Sequence, residues 1–138
     1  MGCVYMIPAN EVSMISTRIH STMGLVTHRG SGDLSISEIE EAFEARLQDP
    51  EYCAGMRVLW DCRESHIANF SAAELTGLVK YNADHQESRG GGRSAIVVSR
   101  DADYGVGRMF QSYAEQLPWE TMLFRDLNSA MRWLAKDE

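Results

Sequence analysis

The sequence predicts an α/β sandwich with the element order β-β-α-β-α-β-α-β-α, a mixed sheet with helices packed on it. Three observations carry that expectation. Apolar and polar residues alternate from about Ser13 to Arg29, the pattern of strands with one wet face. The period then changes to a helical one at Ser35. Short apolar runs recur between helical stretches, which implies βα units joined by right-handed crossovers and a largely parallel sheet.

Two strands open the chain, about Ser13–His20 and Leu25–Arg29, joined by a tight turn at Met23-Gly24. Ser35 with Glu38 forms a capping box, and Ile36, Ile39, Phe43 and Leu47 trace one face of a helix that Asp49-Pro50 ends. Arg57–Cys62 is a short apolar run ending beside a carboxylate, as in a strand buried inside a sheet. Ser71 and Glu74 repeat the capping box. Leu75, Leu78, Val79 and Asn82 mark the inner side of a second helix reaching about Ser88, where Gly90-Gly91-Gly92 stops it. Ser94–Ser99 reads as the central strand. A loop over Asp101 to Gly107 precedes a third helix carrying Val106, Met109, Phe110, Tyr113, Ala114 and Leu117, closed by Pro118. Met122-Leu123-Phe124 is a last strand, and Asp126 caps a terminal helix with Leu127, Ala130, Met131 and Leu134.

The 138 residues make one domain spanning 1–138, with no repeat or low-complexity tract. With 44% hydrophobic and 24% charged residues the composition is that of an ordinary globular protein. A net charge of −7 with scattered arginines excludes a nucleic-acid partner, and no apolar run reaches the roughly 20 residues of a membrane span. The N-terminus lacks the order of a signal peptide, so the expected location is the cytoplasm. Met1-Gly2-Cys3 invites a myristoylation reading, which Met6 rejects because that pattern wants Ser or Thr there. Cys3, Cys53 and Cys62 form no CxxC pair and suit a reducing compartment.

Five segments together resemble the SpoIIAA-like, or STAS-like, fold: Gly32-Asp33-Leu34-Ser35, Val58 to Arg63, Ser94 to Val98, Tyr104 to Met109, and Phe124-Arg125-Asp126 leading to Ala130 and Trp133-Leu134. This group includes the anti-sigma factor antagonists and the bacterial SpoIIAA-like (STAS/SEC14-type) proteins. The resemblance implies a non-enzymatic regulatory or binding domain. In anti-sigma antagonists an Asp-Ser-Ser-Gly-type motif opens a helix, and its second serine is a phosphorylation switch. By position that serine falls on Ser71, although Asn69-Phe70-Ser71-Ala72 departs from the pattern. Phosphate is electrostatically reasonable at a helix N-cap. Its rival is an ordinary capping serine paired with Glu74.

Ligands of open α/β sheets bind beyond the carboxyl ends of the strands. Asp61 to His66, Asp101 to Arg108 and Arg125-Asp126 converge there, so Asp61, Arg63, His66, Gly105, Gly107 and Arg108 are the candidate ligand-binding residues. Gly105 and Gly107 suggest an exposed anion cradle at a helix N-terminus beside Arg108. The alternative is a plain turn, with Arg108 paired to Asp101 or Asp103. The partner is accordingly a protein, with a homodimer left open, or a small anionic or amphiphilic ligand. A SEC14-type lipid or small-molecule carrier is the alternative, and a small hydrolase using Asp61, His66 and Arg108 is a third reading. Cys62 reads as a small buried hydrophobe. No G-x-S-x-G elbow, metal-ligand spacing or dinucleotide fingerprint is present, so neither metal nor cofactor is expected.

Overall fold

The computed structural model describes residues 13–137, so the myristoylation question and Cys3 lie outside the described residues. Strands β1 (Met14–His20), β2 (Leu25–Asp33), β3 (Arg57–His66), β4 (Ser94–Val97) and β5 (Thr121–Phe124) form one sheet in the order β1-β2-β3-β4-β5. The β1–β2 pair is antiparallel and every other pair is parallel. Helices α1 (Ile36–Gln48), α2 (Ala72–Asp84), the short α3 (Gln86–Arg89) and α4 (Asp101–Tyr113) lie within the crossovers, and α5 (Leu127–Ala135) ends the chain. No helix among the described residues is long and apolar enough to cross a membrane.

Alternation along β4 divides the core. Ala95 and Val97 pack with Leu25, Leu59, Ala130, Trp133 and Leu134 under α5, while Ile96 and Val98 pack with Leu34, Cys62, Ile67 and Leu123 on the other face. A strand covered on both faces is apolar throughout, which explains the unbroken run from Ala95 to Val98. Arg57 and Arg93 at the start of β3 and β4 donate to the carbonyls of Trp133, Leu134 and Lys136, satisfying the last acceptors of α5 and tying its end to the sheet.

Three boundaries differ from the expected ones. β2 and β3 run on to Asp33 and His66, because a register shift between Arg29 and Ser31 keeps the two strands paired through their polar ends. The second helix breaks at His85: its ring Nδ1 binds the Tyr81 carbonyl at 2.8 Å, the acceptor a continuing helix would use, and one turn of α3 follows. The third helix starts at Asp101, with Asp101 and Asp103 in its positive first turn, so Gly105 and Gly107 stand inside it. A Cβ at Gly107 would lie 2.8 Å from Cδ1 of Leu123, so glycine lets the helix approach β5 without moving that side chain.

A polar element built on a histidine sits in the core. His28 is fully buried, stacks on Trp60 at 4.0 Å, and bridges Thr17 Oγ1 (2.7 Å from Nδ1) and Arg46 Nη1 (3.2 Å from Nε2). A guanidinium can only donate, so Nε2 accepts and Nδ1 carries the proton toward Thr17. Burial first, and the Arg46 charge second, push the His28 pKa well below 6.5. The unfolded chain therefore binds a proton that the folded chain refuses, and stability is lost as pH falls below 6.5. Unfolding free energies from urea titrations of the wild type should decline from pH 7 to 5.5 more steeply than those of His28→Gln, by up to about 1.4 kcal/mol per pH unit. Parallel curves would show that His28 is not the group responsible.

Candidate functional site

The carboxyl ends of the strands carry a linked set of polar contacts around the segment between β3 and α2. Its anchor is Asp103, which is 1% exposed. One carboxylate oxygen accepts from the backbone N–H of Ile67 (2.9 Å) and Ala68 (3.0 Å), and Arg100 grips both oxygens at 2.8 and 3.1 Å. Those bonds hold its pKa below the ordinary carboxylate value against the opposing effect of burial. The start of α4 is thereby pinned to the turn leading into α2. Ser99 Oγ adds a bond to the Arg63 carbonyl at 2.7 Å, joining the end of β4 to β3.

The same end of the sheet holds Asp61 and Arg63. Arg63 donates from Nε and Nη2 to the two oxygens of Asp61, both at 2.9 Å, and this keeps the Asp61 carboxyl ionised below its ordinary range. Arg125 pairs with Asp101 at 2.6 Å and lies 4.5 Å over the Tyr104 ring. Arg29 pairs with Glu64. Arg63, Arg100 and Arg125 are thus occupied by carboxylates. Arg108 is exposed and pairs with neither Asp101 nor Asp103, whose partners are Arg125 and Arg100.

The cradle expected at Gly105 and Gly107 is corrected by the helix itself. Their amides belong to the interior of α4, and Gly107 is buried, so no exposed loop of free N–H groups exists there. His66 closes β3 opposite Asp33, half-buried, with a buried Nδ1 that has no hydrogen-bond partner among the described residues. Neither the apolar cavity beneath α2 nor the cleft beside Gly91, Arg93 and Glu120 is lined by Asp61, His66 or Arg108. Cys62 is buried, and desolvation with the nearby Asp61 and Asp103 charges pushes its thiol up to about 12, so it is a neutral packing group. Among the described residues no group of three His, Cys, Asp or Glu is placed to hold a metal ion.

Ser71 stands where the braced turn enters α2. Its hydroxyl accepts from the Glu74 N–H at 3.1 Å, and the Glu74 carboxylate accepts from the Ser71 N–H at 2.9 Å, the reciprocal pair expected from the sequence. Ser71 is exposed, as are Ala72, Ala73, Thr76 and Gly77 along the outer side of the helix. Asp103 is the residue of this polar cluster that spacing did not single out for a bracing role. Its signal was the pairing of an arginine with an aspartate three residues on, at the entry to a helix.

Removal of the Asp103 carboxylate leaves two backbone donors without their acceptor and releases Arg100 to solvent. Asp103→Ala should lower stability by about 2–4 kcal/mol and expose the Ile67 and Ala68 amides to hydrogen exchange before the β4 amides open. Unchanged protection at those two positions would show that the turn is held by other contacts.

No protein-family model matches this sequence, and no curated protein matches it. The chain is similar to the crystal structure of an anti-sigma factor antagonist from Mycobacterium paratuberculosis, with a TM-score of 0.60 and 15% sequence identity, over 94% of this chain and 100% of that one. The five-stranded mixed sheet with its packed helices is therefore the SpoIIAA-like (STAS-like) fold.

Proposed function

We propose that this chain is a regulatory module that works by contact with a protein partner, and that the start of α2 around Ser71 is the contact surface. The observation that carries the reading is an exposed N-cap serine on a turn made rigid by Asp103, in a fold shared with an anti-sigma factor antagonist. A partner surface needs a fixed shape, and the brace supplies it without occupying the outward face of α2. Small side chains at Ala72, Ala73 and Gly77 let a partner approach the helix backbone closely.

A phosphate on Ser71 would add about −1.5 to −2 charge at the positive end of α2. It would also displace the Glu74 carboxylate, which already occupies the Ser71 amide. The same modification would thus change both the charge and the hydrogen bonding of the surface.

The other two readings draw less support. A carrier of whole lipids needs a pocket on the order of 300–1,000 Å³. The apolar cavity between the sheet and helices α1, α2 and α4, lined by Phe43, Trp60, Leu75, Leu78, Ile96 and Phe110 among others, has a volume of about 80 Å³, and the larger one, about 580 Å³, is an open cleft whose lining includes Arg93, Gln111, Glu115 and Glu120 and is more polar than apolar. A hydrolase built on Asp61, His66 and Arg108 needs a free carboxylate in a cleft, and Asp61 is held by Arg63 outside both cavities.

Ser71→Asp tests the proposal, because Asp is as good an N-cap as Ser and the fold should be retained within about 0.5 kcal/mol. Pull-downs from the native host with wild type and Ser71→Asp should then recover different partners, or the same partner at least tenfold less well. Identical recovery by two equally stable proteins would remove Ser71 from the contact surface.

A further inference from the structure

Two cations lie far from that surface, where the parallel strands begin. Arg46 and Arg89 are each 1% exposed. Arg46 stands in the last turn of α1, so the partial negative charge of a helix C-terminus lies beside it, and Arg89 closes the single turn of α3 and donates to the Gly90 carbonyl. Aromatic rings enclose them: Arg46 is 4.5 Å from the Phe43 ring centre and 5.6 Å from that of Tyr52, and Arg89 is 3.7 Å from that of Trp119. Dipoles and π-faces offset part of the cost of burying charge. Among the described residues neither arginine pairs with a carboxylate.

The hydrogen bonding of Arg46 is more specific. Nη1 is used on His28, while Nε and Nη2 are buried with no partner. Those two nitrogens form one edge of the guanidinium, whose parallel N–H bonds match two oxygens of a carboxylate or phosphate. Elsewhere in this protein that edge is used in just this way: Arg63 presents it to both oxygens of Asp61 and Arg100 to both oxygens of Asp103. In Arg46 it is buried without a partner, and Arg89, buried as well, adds a second positive charge nearby.

We propose that the Nε/Nη2 edge of Arg46, with Arg89 beside it and Tyr52 over it, is a binding site for a small oxyanion of the carboxylate or phosphate class. The anion supplies the charge and the two acceptors that the enclosure lacks. Burial pulls the pKa of Arg46 to about 10 and that of Arg89 to about 9, with Arg46 adding to the shift of Arg89, and an anion between them opposes both effects. Entry requires displacement of the segment at 49–56, which forms neither helix nor strand. Tyr52 fastens that segment by donating its hydroxyl to the Arg89 carbonyl. The site is independent of any partner at Ser71.

Denaturation midpoints of the full chain in sodium formate, sodium phosphate and sodium chloride, at equal ionic strength and pH 7.5, test the proposal. Formate or phosphate should stabilise the wild type above chloride in a saturable manner, a response to one alone marking the class of anion. Arg46→Lys keeps the charge and a donor for His28 but has no two-donor edge, so its apparent affinity should fall at least tenfold, while Arg29→Lys, altered at an exposed pair, should respond like the wild type. Equal midpoints in the three salts, or an undiminished response in Arg46→Lys, would overturn the site. Should Arg46→Lys fail to fold, line broadening of ¹³C-formate by the wild type and its loss in Arg89→Lys decide the matter, and absence of broadening overturns the proposal.

Discussion

The carboxylate of Asp103 holds together the end of the molecule on which the regulatory reading rests. Four hydrogen bonds converge on it, two from the backbone of the β3–α2 turn and two from Arg100. A turn at the edge of a sheet is ordinarily the most mobile part of a βα unit. Here its amides are donors to a buried charge on the neighbouring helix, so α2 begins at a position set by α4. The dependence runs onward: Ser71 caps α2 only because the preceding residues deliver it at the correct angle, and the outward face of α2 inherits that angle. The crossover geometry of the fold and the chemistry of one side chain thus act on the same few residues.

Charge in this protein is distributed by environment more than by number. The net −7 arises from acids on solvated helix faces, while the strand ends carry arginines that are almost all matched to carboxylates. The matches differ in worth. Arg29 and Glu64 are each about 60% exposed, 61% and 62%, so their pair contributes little beyond the order of 0–1 kcal/mol. Asp103 is withdrawn from water, and its pair with Arg100, together with the Ile67 and Ala68 amides, compensates the desolvation. Arg46 and Arg89 stand at the other extreme, withdrawn from water and matched to rings, a histidine and helix ends in place of carboxylates.

Local chemistry was legible in the sequence, and contacts between distant residues were not. Ser35 with Glu38 and Ser71 with Glu74 were readable because a capping box is complete within four residues. The central strand at Ser94 was readable because burial on both faces leaves no polar interruption. Gly105 and Gly107 misled, since glycine reads as loop punctuation, whereas the packing of Gly107 on Leu123 and two aspartates at the helix entry outweighed its low propensity. The polar end of β3, Arg63 to His66, carries no strand signal of its own and is extended because β2 pairs with it. Arg46 sits three residues after Phe43 on the apolar stripe of α1, a trace of its burial that a charged residue in a last helical turn conceals.

The cavity beneath α2 bears on how that helix can respond. Apolar side chains on both sides of an unfilled space forgo contacts that close packing would give, so α2 is held less by the sheet below it than by α1, α4 and the braced turn. A change at its N-terminus is then resisted mainly at its neighbours and at Asp103, and it need not disrupt the layer formed by Ile96, Val98 and Leu123. An added charge at Ser71 would be opposed by Glu74 and favoured by the helix dipole, two effects of similar order that act within one turn. The balance can be tipped locally while the core stays intact, which is the physical condition for a surface that alters partner affinity without unfolding.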